Sequence, residues 1–381
     1  MKLVELGTIL HMDKGKKPQK QQEKYKEGYL PYVDIQAFEE GIIKSYADPQ
    51  KCLLCEDGDL LIVCDGSRSG LTGRAIKGVV GSTLSKISAD GLCTEYLQYF
   101  IQSKYTLLNT RKKGTGTPHL NAELLKKSKL VIPTQTEQER IVSKIEELFS
   151  KLDASVAELK TAKEKLKVYR QAVLKEAFDA VSESPRAKIQ HICEYIIDCP
   201  HSTPKWTNAG KICLRTTNFK RGYLDLREKN YVSEETFNAR NSRLIPASGD
   251  VLYSREGEIL GIACIIPAGL SVCLGQRMML LRTNEENFNR FLMHYLNSPA
   301  VTNYVASITG GSASPHVNVR DIKNFLIPVP KLDVQKRTVL KIEERISICD
   351  DSERSIDTAI QQAEALRQSI LKQAFEGRLI E

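Results

Sequence analysis

The feature that most constrains this chain is that it is written twice. GTGTPHLN, ending at Asn121, has a near double in GGSASPHVN, ending at Asn318, and Pro118, His119 and Asn121 recur as Pro315, His316 and Asn318, 197 positions later. The same offset carries Gln138 onto Gln335, Arg140 onto Arg337, KIEE from Lys144 onto KIEE from Lys341, and RQAVLKEAF from Arg170 onto RQSILKQAF from Arg367. Such register over about sixty residues marks an internal duplication, and a duplicated chain must fold as two related units. Upstream the register loosens, since GDLL at Gly58 pairs with GDVL at Gly249 at an offset of 191. Each half is therefore a variable globular part followed by a fixed-length tail.

The tails read as long helices. After VIP, Thr136 followed by Glu139 fits an N-terminal capping box. Apolar residues then step by three and four through Val142, Ile145, Phe149, Leu152, Val156 and Leu159, and on to Leu166, with Lys163 in the missed place. The second tail repeats the seam with Val339, Ile342, Ile346, Cys349, Ile356 and Ile360, continuing through Ala363, Leu366 and Ile370, while Glu353 stands where the first tail has Val156. This is a heptad stripe, and a helix of about 60 Å with one apolar face needs a partner. The nearest partner is the other copy. An antiparallel coiled coil with internal pseudo-twofold symmetry places a globular part near each end; a parallel pair is the less favoured alternative.

The globular parts mix strand patterns (YLPYVDIQ, GDLLIVCD and KLVIP in the first; KICLRTT, GDVLYSRE and GIACIIP in the second) with helical ones at Thr94–Leu108 and in NRFLMHYLNSPAVTNYV. The expected class is α+β: two similar domains, residues 1–135 and 187–332, with spacer helices at 136–180 and 333–381 and a linker at 181–186.

Charge narrows the class of partner. Basic and acidic residues balance from Glu137 to Asp179, and acidic ones lead slightly beyond Asp333, so the formal +8 is carried by the two globular parts. That distribution suits a polyanion. Lys14, Lys16 and Lys17 in DKGKKPQK, Arg68 and Arg74 in DGSRSGLTGR, Arg111 and Lys112 beside Lys113, Lys205 in HSTPKW and Arg255 in SREGEILG are the candidate DNA contacts. Arginine can read guanine edges, whereas lysine more often supplies sequence-blind phosphate attraction. For each of them a solvated surface charge is the bland reading. The glycine- and serine-rich residues before Pro118 and Pro315 permit close backbone approach, and His119 and His316 fit a structural role better than a phosphate contact or acid–base chemistry.

Catalytic tools are missing from the sequence: there is no GxxxxGK loop, no glycine-rich dinucleotide fingerprint and no HExxH. No cofactor is expected. Cys52 and Cys55, with Cys64 and Cys93 downstream, read as ordinary thiols rather than a zinc site. Scattered cysteines, no leader pattern and no apolar run approaching about 20 residues point to a reduced cytoplasmic setting without a membrane anchor.

The paired junctions VIPTQTEQERIVSKIEE and IPVPKLDVQKRTVLKIEE, each after a TGTPHLN or SASPHVN loop and each followed by a helix ending in RQAVLKEAF or RQSILKQAF, resemble the specificity subunits of Type I restriction-modification systems. The first junction departs from the pattern in lacking the second proline and leucine. The resemblance spans essentially the whole chain. It implies a non-catalytic subunit whose two target recognition domains each read half of a split double-stranded DNA sequence. It also implies that the helices hold those domains apart and dock two DNA adenine methyltransferase subunits, with restriction/translocase subunits joining through them. Arg140, Glu147, Arg170 and Gln171, repeated as Arg337, Glu344, Arg367 and Gln368, lie off the seam and are the candidate docking residues; salt bridging within the helix pair is the alternative. The competing function is a two-armed protein scaffold without sequence-specific DNA binding, or an adaptor of another DNA-modifying complex.

Overall fold

The computed structural model describes residues 2–112, 118–310 and 315–379. It divides into two compact units, one of residues 1–159 with 357–381 and one of residues 160–356, so that each long helix is shared between them. The two units are built to one plan.

In the first unit, strands Leu10–Lys14, Leu84–Ala89, Leu60–Val63 and Thr72–Arg74 form an antiparallel sheet in that spatial order. All four residues of Leu60–Val63 are buried, which explains the unbroken apolar run in GDLLIV. Side chains alternate across a strand: Leu60 and Ile62 pack with Leu97, Phe100 and Ile101 of helix Thr94–Ser103, while Leu61 and Val63 enter a second core with Val33 and Phe38. A second sheet holds Gln21–Gln22, Tyr46–Ala47, Leu30–Val33, Gly78–Val80 and Leu54–Cys55, with one parallel pair between Tyr32 and Val79.

The second unit repeats the first sheet as Cys193–Asp198, Met278–Thr283, Val251–Ser254 and Ala263–Ile265. Its second sheet has Trp206–Thr207, Tyr231–Val232, Lys211–Leu214 and Val272–Leu274, again with one parallel pairing, Cys213 beside Cys273. The expected single helix at Asn289–Val305 is two, Asn289–Leu296 and Pro299–Thr309, because Pro299 can only start a helix here. Thr94–Leu108 is likewise split at Lys104. The linker at 181–186 is shorter than its composition suggests: Val181 is buried in the unit's core and Arg186–Lys188 is a strand on Leu326–Pro328.

The long helices run over Gln135–Asp179 and Leu332–Phe375 and contact each other. The cap of the first lies two residues before the expected one. Thr134 is the capping residue, its Oγ accepting from the Glu137 amide while the Glu137 carboxylate accepts from the Thr134 amide at 2.8 Å. Gln138 and Gln335, each 1% exposed, lock the helix starts to their domains. Gln138 Oε1 accepts from the Cys93 amide and its Nε2 donates to Gly91 and Pro133 carbonyls; Gln335 does the same with the Phe288 amide and the Pro330 carbonyl.

The seam is graded. Val142 sits in the first domain's core, and Ile145 and Phe149 pack against Ile370, Leu371 and Ala374. In the other unit Val339, Ile342 and Ile346 pack with Leu174 and Phe178, whose ring meets Phe291 and Tyr295 edge-on, and Cys349 is buried. Each such large apolar side chain contributes about 1.5–3 kcal/mol. Leu152, Val156, Leu159, Ile356 and Ile360 are only half-buried, because two helices without a globular part beside them cannot enclose a seam residue. Leu366, expected in the seam, is 49% exposed, and Leu371 takes the buried place instead. The two charges in the stripe meet: Glu353 pairs with Lys163 at 3.4 Å and with Arg170 at 2.9 Å.

Candidate nucleic-acid interface and subunit-docking surface

The duplicated Pro-His loop is a backbone clamp. The Gly66 amide donates to the Pro118 carbonyl at 2.8 Å and the Leu120 amide to the Cys64 carbonyl at 2.7 Å; in the second unit Gly257 donates to Pro315 at 2.9 Å and Val317 to Arg255 at 2.9 Å. His119 and His316 thereby lie antiparallel to Asp65 and Glu256. The loop that follows the buried central strand is thus pinned by the later Pro-His segment in both units. Lys113, the glycine-rich residues 114–117 and residues 311–314 lie outside the described residues.

Around each clamp the charges differ. In the first unit Asp65 receives Lys14 at 2.9 Å and His119 Nδ1 at 2.6 Å. Partial burial pushes the Asp65 carboxyl up, but the Lys14 and His119 hydrogen bonds outweigh it and hold the group below the ordinary carboxylate range. In the second unit the acid and base exchange places: Asp198, at the matching strand end, accepts from Arg255 Nε at 2.8 Å and Nη2 at 3.2 Å, and Arg255 also meets Glu256.

That geometry bears on one of the candidate DNA contacts. Arg255 is 5% exposed and aligns with Cys64 through the clamp, so it braces the loop from inside. Arg68 pairs with Glu39 of helix Ile35–Glu40 but stays half-exposed. Arg74 is tied to Glu95 at 2.7 Å and to the Gly58 carbonyl at 3.0 Å. Lys112 donates to the Ser67 carbonyl, steadying the same loop. Lys16, Lys17, Arg111 and Lys205 are exposed. Lys16 and Lys17 follow Lys14 off the end of one strand, and Lys205 belongs to the segment that leaves Asp198 at the equivalent strand end.

The structure adds a residue that the sequence reading passed over. Arg277 is exposed and adopts φ 66°, and its carbonyl accepts from the Arg255 amide at 3.0 Å. Nothing in the local sequence GQRM signals a left-handed arginine, and only the fold brings it beside the Glu256 loop.

The off-seam helix residues separate into two groups. Arg170 donates to Asp350 at 2.6 Å and Glu353 at 2.9 Å, and Arg367 meets Asp153 and lies 4.4 Å from the centre of the Phe149 ring. These arginines face the opposite helix. Arg140, Glu147, Arg337, Glu344 and Gln368 are exposed and Gln171 is half-buried. Glu147 bridges Lys144 and Lys151, whose hydrogen bonds pull its carboxyl down to about 2, and Arg337 pairs with Asp333 one turn back.

Among the described residues no group of His, Cys, Asp and Glu is arranged to hold a metal ion, and no helix is long and apolar enough to cross a membrane.

A family model described as the Type I restriction modification DNA specificity domain matches residues 1–165 and again 189–362. The Type I restriction enzyme MjaVIII specificity subunit of Methanocaldococcus jannaschii is 23% identical, covering 99% of this chain and 92% of that protein. The EcoBI specificity subunit of Escherichia coli is 22% identical over 84% of this chain and 73% of its own length. Among solved structures, a chain described under "Structural basis underlying complex assembly and conformational transition of the type I R-M system" superposes with a TM-score of 0.72 at 20% identity, covering 99% of this chain and 98% of that one. The HsdS subunit from Thermoanaerobacter tengcongensis gives 0.52 at 20% identity over 99% and 97%. The double match, one per repeat, decides against a scaffold with no role in DNA specificity. The chain belongs to the Type I restriction-modification specificity family, as a non-catalytic subunit that supplies DNA sequence specificity and positions methyltransferase and restriction subunits.

Proposed function

We propose that residues 1–135 and 187–332 each read one half of a split double-stranded DNA target, and that the helices at 136–180 and 333–381 pair antiparallel, with pseudo-twofold symmetry, to fix the gap. One observation carries this reading. Arg170 pairs with Asp350 in one unit and Arg367 with Asp153 in the other, and the 197-residue offset turns each of these contacts into the other. A contact that maps onto itself when the two copies are exchanged is what a twofold-related pair produces. The half-sites are unrelated in sequence, because the clamp is common to both units while the charges around it are not.

DNA contact falls to the exposed cations, Lys16, Lys17, Arg111 and Lys205, with Lys14, Arg68, Arg74 and Lys112 shaping the loops of the first domain. A twofold-related rod offers two similar surfaces, and so one chain carries two methyltransferase subunits. Their docking residues are Arg140, Glu147 and Gln171 with Arg337, Glu344 and Gln368; Arg170 and Arg367 act inside the helix pair. The deciding experiment is to co-express the chain with its methyltransferase and map modified adenines across the host genome. Two short unrelated blocks at a constant spacing are expected, and a single continuous palindrome refutes the reading. Inserting one heptad after Leu159 and after Ile356 lengthens both helices in phase, and should change the spacing while leaving both blocks intact.

A further inference from the structure

We infer that Arg277 is a base-reading residue of the second domain, and that guanine is the base it recognises. The inference rests on the half-site reading above and names a determinant within it. Three segments converge here. Gln276 Nε2 donates to the His201 carbonyl at 2.5 Å, tying the turn to the segment that carries Lys205. The Arg277 carbonyl receives the Arg255 amide. Arg277 Nη1 lies 3.2 Å from where a Cβ on Gly257 would stand, so the guanidinium lies over the tip of the clamped loop.

The backbone shows that the side chain, not the fold, is what this position requires. Lys51 and Arg277 are the two non-glycine residues with positive φ among those described. A left-handed conformation is uncommon outside glycine, and such strain gathers at functional sites. The first unit makes the same backbone bond, from the Cys64 amide to the Thr83 carbonyl at 2.8 Å, and Thr83 is not left-handed. The bond therefore does not demand the conformation. Glycine would adopt it without strain, yet an arginine stands there.

The side chain is also uncommitted. Arg255, next to it, is taken by Asp198 and Glu256, whereas no carboxylate pairs with Arg277 among the described residues. A planar guanidinium held at a loop tip suits the paired acceptors N7 and O6 of guanine in the major groove, while exposed Lys205, on the segment bonded to Gln276, supplies phosphate attraction. Thr83 occupies the place in the first domain, so the two domains present different chemistry at one position, as readers of unrelated half-sites must.

The test uses the full chain assembled with its methyltransferase, comparing Arg277→Gly, Arg277→Ala and Arg277→Lys by genome-wide mapping of modified adenines and by thermal melting. In all three variants one guanine position in one half-site should become degenerate, with discrimination there falling roughly 5- to 150-fold, while the other half-site is unchanged. The Gly variant should melt at or above the native temperature, since it relieves the backbone. Lysine retains the charge but not the two-pronged fork, so full guanine preference in Arg277→Lys overturns the assignment. So does an unchanged motif in the Gly variant, or uniform weakening without a change of motif, the signature of a phosphate contact. A continuous motif from the native chain refutes the half-site reading itself, whereas a split motif that the variants leave untouched refutes only the role of Arg277.

Discussion

Replacing Gln138 by leucine should show what holds the first long helix to its domain. The two side chains are close in volume, so the change removes hydrogen bonds with little cavity. Three partners lose their bonds: the Cys93 amide at 2.8 Å, the Gly91 carbonyl at 2.7 Å and the Pro133 carbonyl at 3.1 Å. Gly91 is exposed and water can take over its bond, but Pro133 is buried and Cys93 half-buried. A buried polar group left without a partner costs about 1–3 kcal/mol, so two of them give a loss of about 3 kcal/mol. For a unit of this size that corresponds to a fall in melting temperature of roughly 6–12 °C. Gln335→Leu should behave alike, since it orphans the Phe288 amide and the Pro330 carbonyl. Because the two glutamines share no partner, the double variant should show the sum of the two losses. Gln138→Glu sharpens the test. A carboxylate can accept from Cys93 but cannot donate to two carbonyls, so the glutamate favours its protonated form in the fold. Its folded pKa then lies above its unfolded value, and the variant is tolerated best at acid pH and progressively less as pH rises. Chemical denaturation of the full chain, followed by circular dichroism, measures all of this. A loss for Gln138→Leu within about 0.5 kcal/mol of zero refutes the clamp.

Two further outcomes follow from particular contacts. The charged pair in the seam, Lys163 with Glu353, stands where the 197-residue offset puts Ile360 and Val156 in the other half. Lys163→Ile with Glu353→Val should therefore be neutral or stabilising, while Glu353→Val alone costs about 1 kcal/mol; a double variant less stable than either single one in denaturant titrations argues against a shared seam. Asp65 titrates below its ordinary 3.8 in the fold, so its ion pairs stabilise fully above that value and the contribution disappears as pH falls through the folded value. Asp65→Asn should cost about 1 kcal/mol at neutral pH and flatten the acid limb of the stability curve below about pH 4; an unchanged acid limb refutes the account.

What the sequence determined by itself is the repeated part. The duplication, the long helices, the strand at GDLL and its copy at GDVL, and the class of protein all rest on patterns that recur at fixed spacing. Periodicity survives in sequence because helix and strand geometry impose it locally. Even there the ends slipped: the cap is Thr134 rather than Thr136, because Glu137 lies within reach of it. Which charges face outward was not legible. Arg255 and Arg277 look equivalent as letters, yet Asp198, 57 residues before Arg255, draws it inside, while a turn leaves Arg277 over Gly257. Arg170 and Arg367 repeat as faithfully as Arg140 and Arg337, yet Asp350 and Asp153 meet them from the other helix. The fate of a long charged side chain is set by whichever carboxylate the fold brings within about 4 Å, and a carboxylate distant in sequence leaves no local pattern. Tertiary structure alone decided which cations brace the molecule and which stay exposed at its surface.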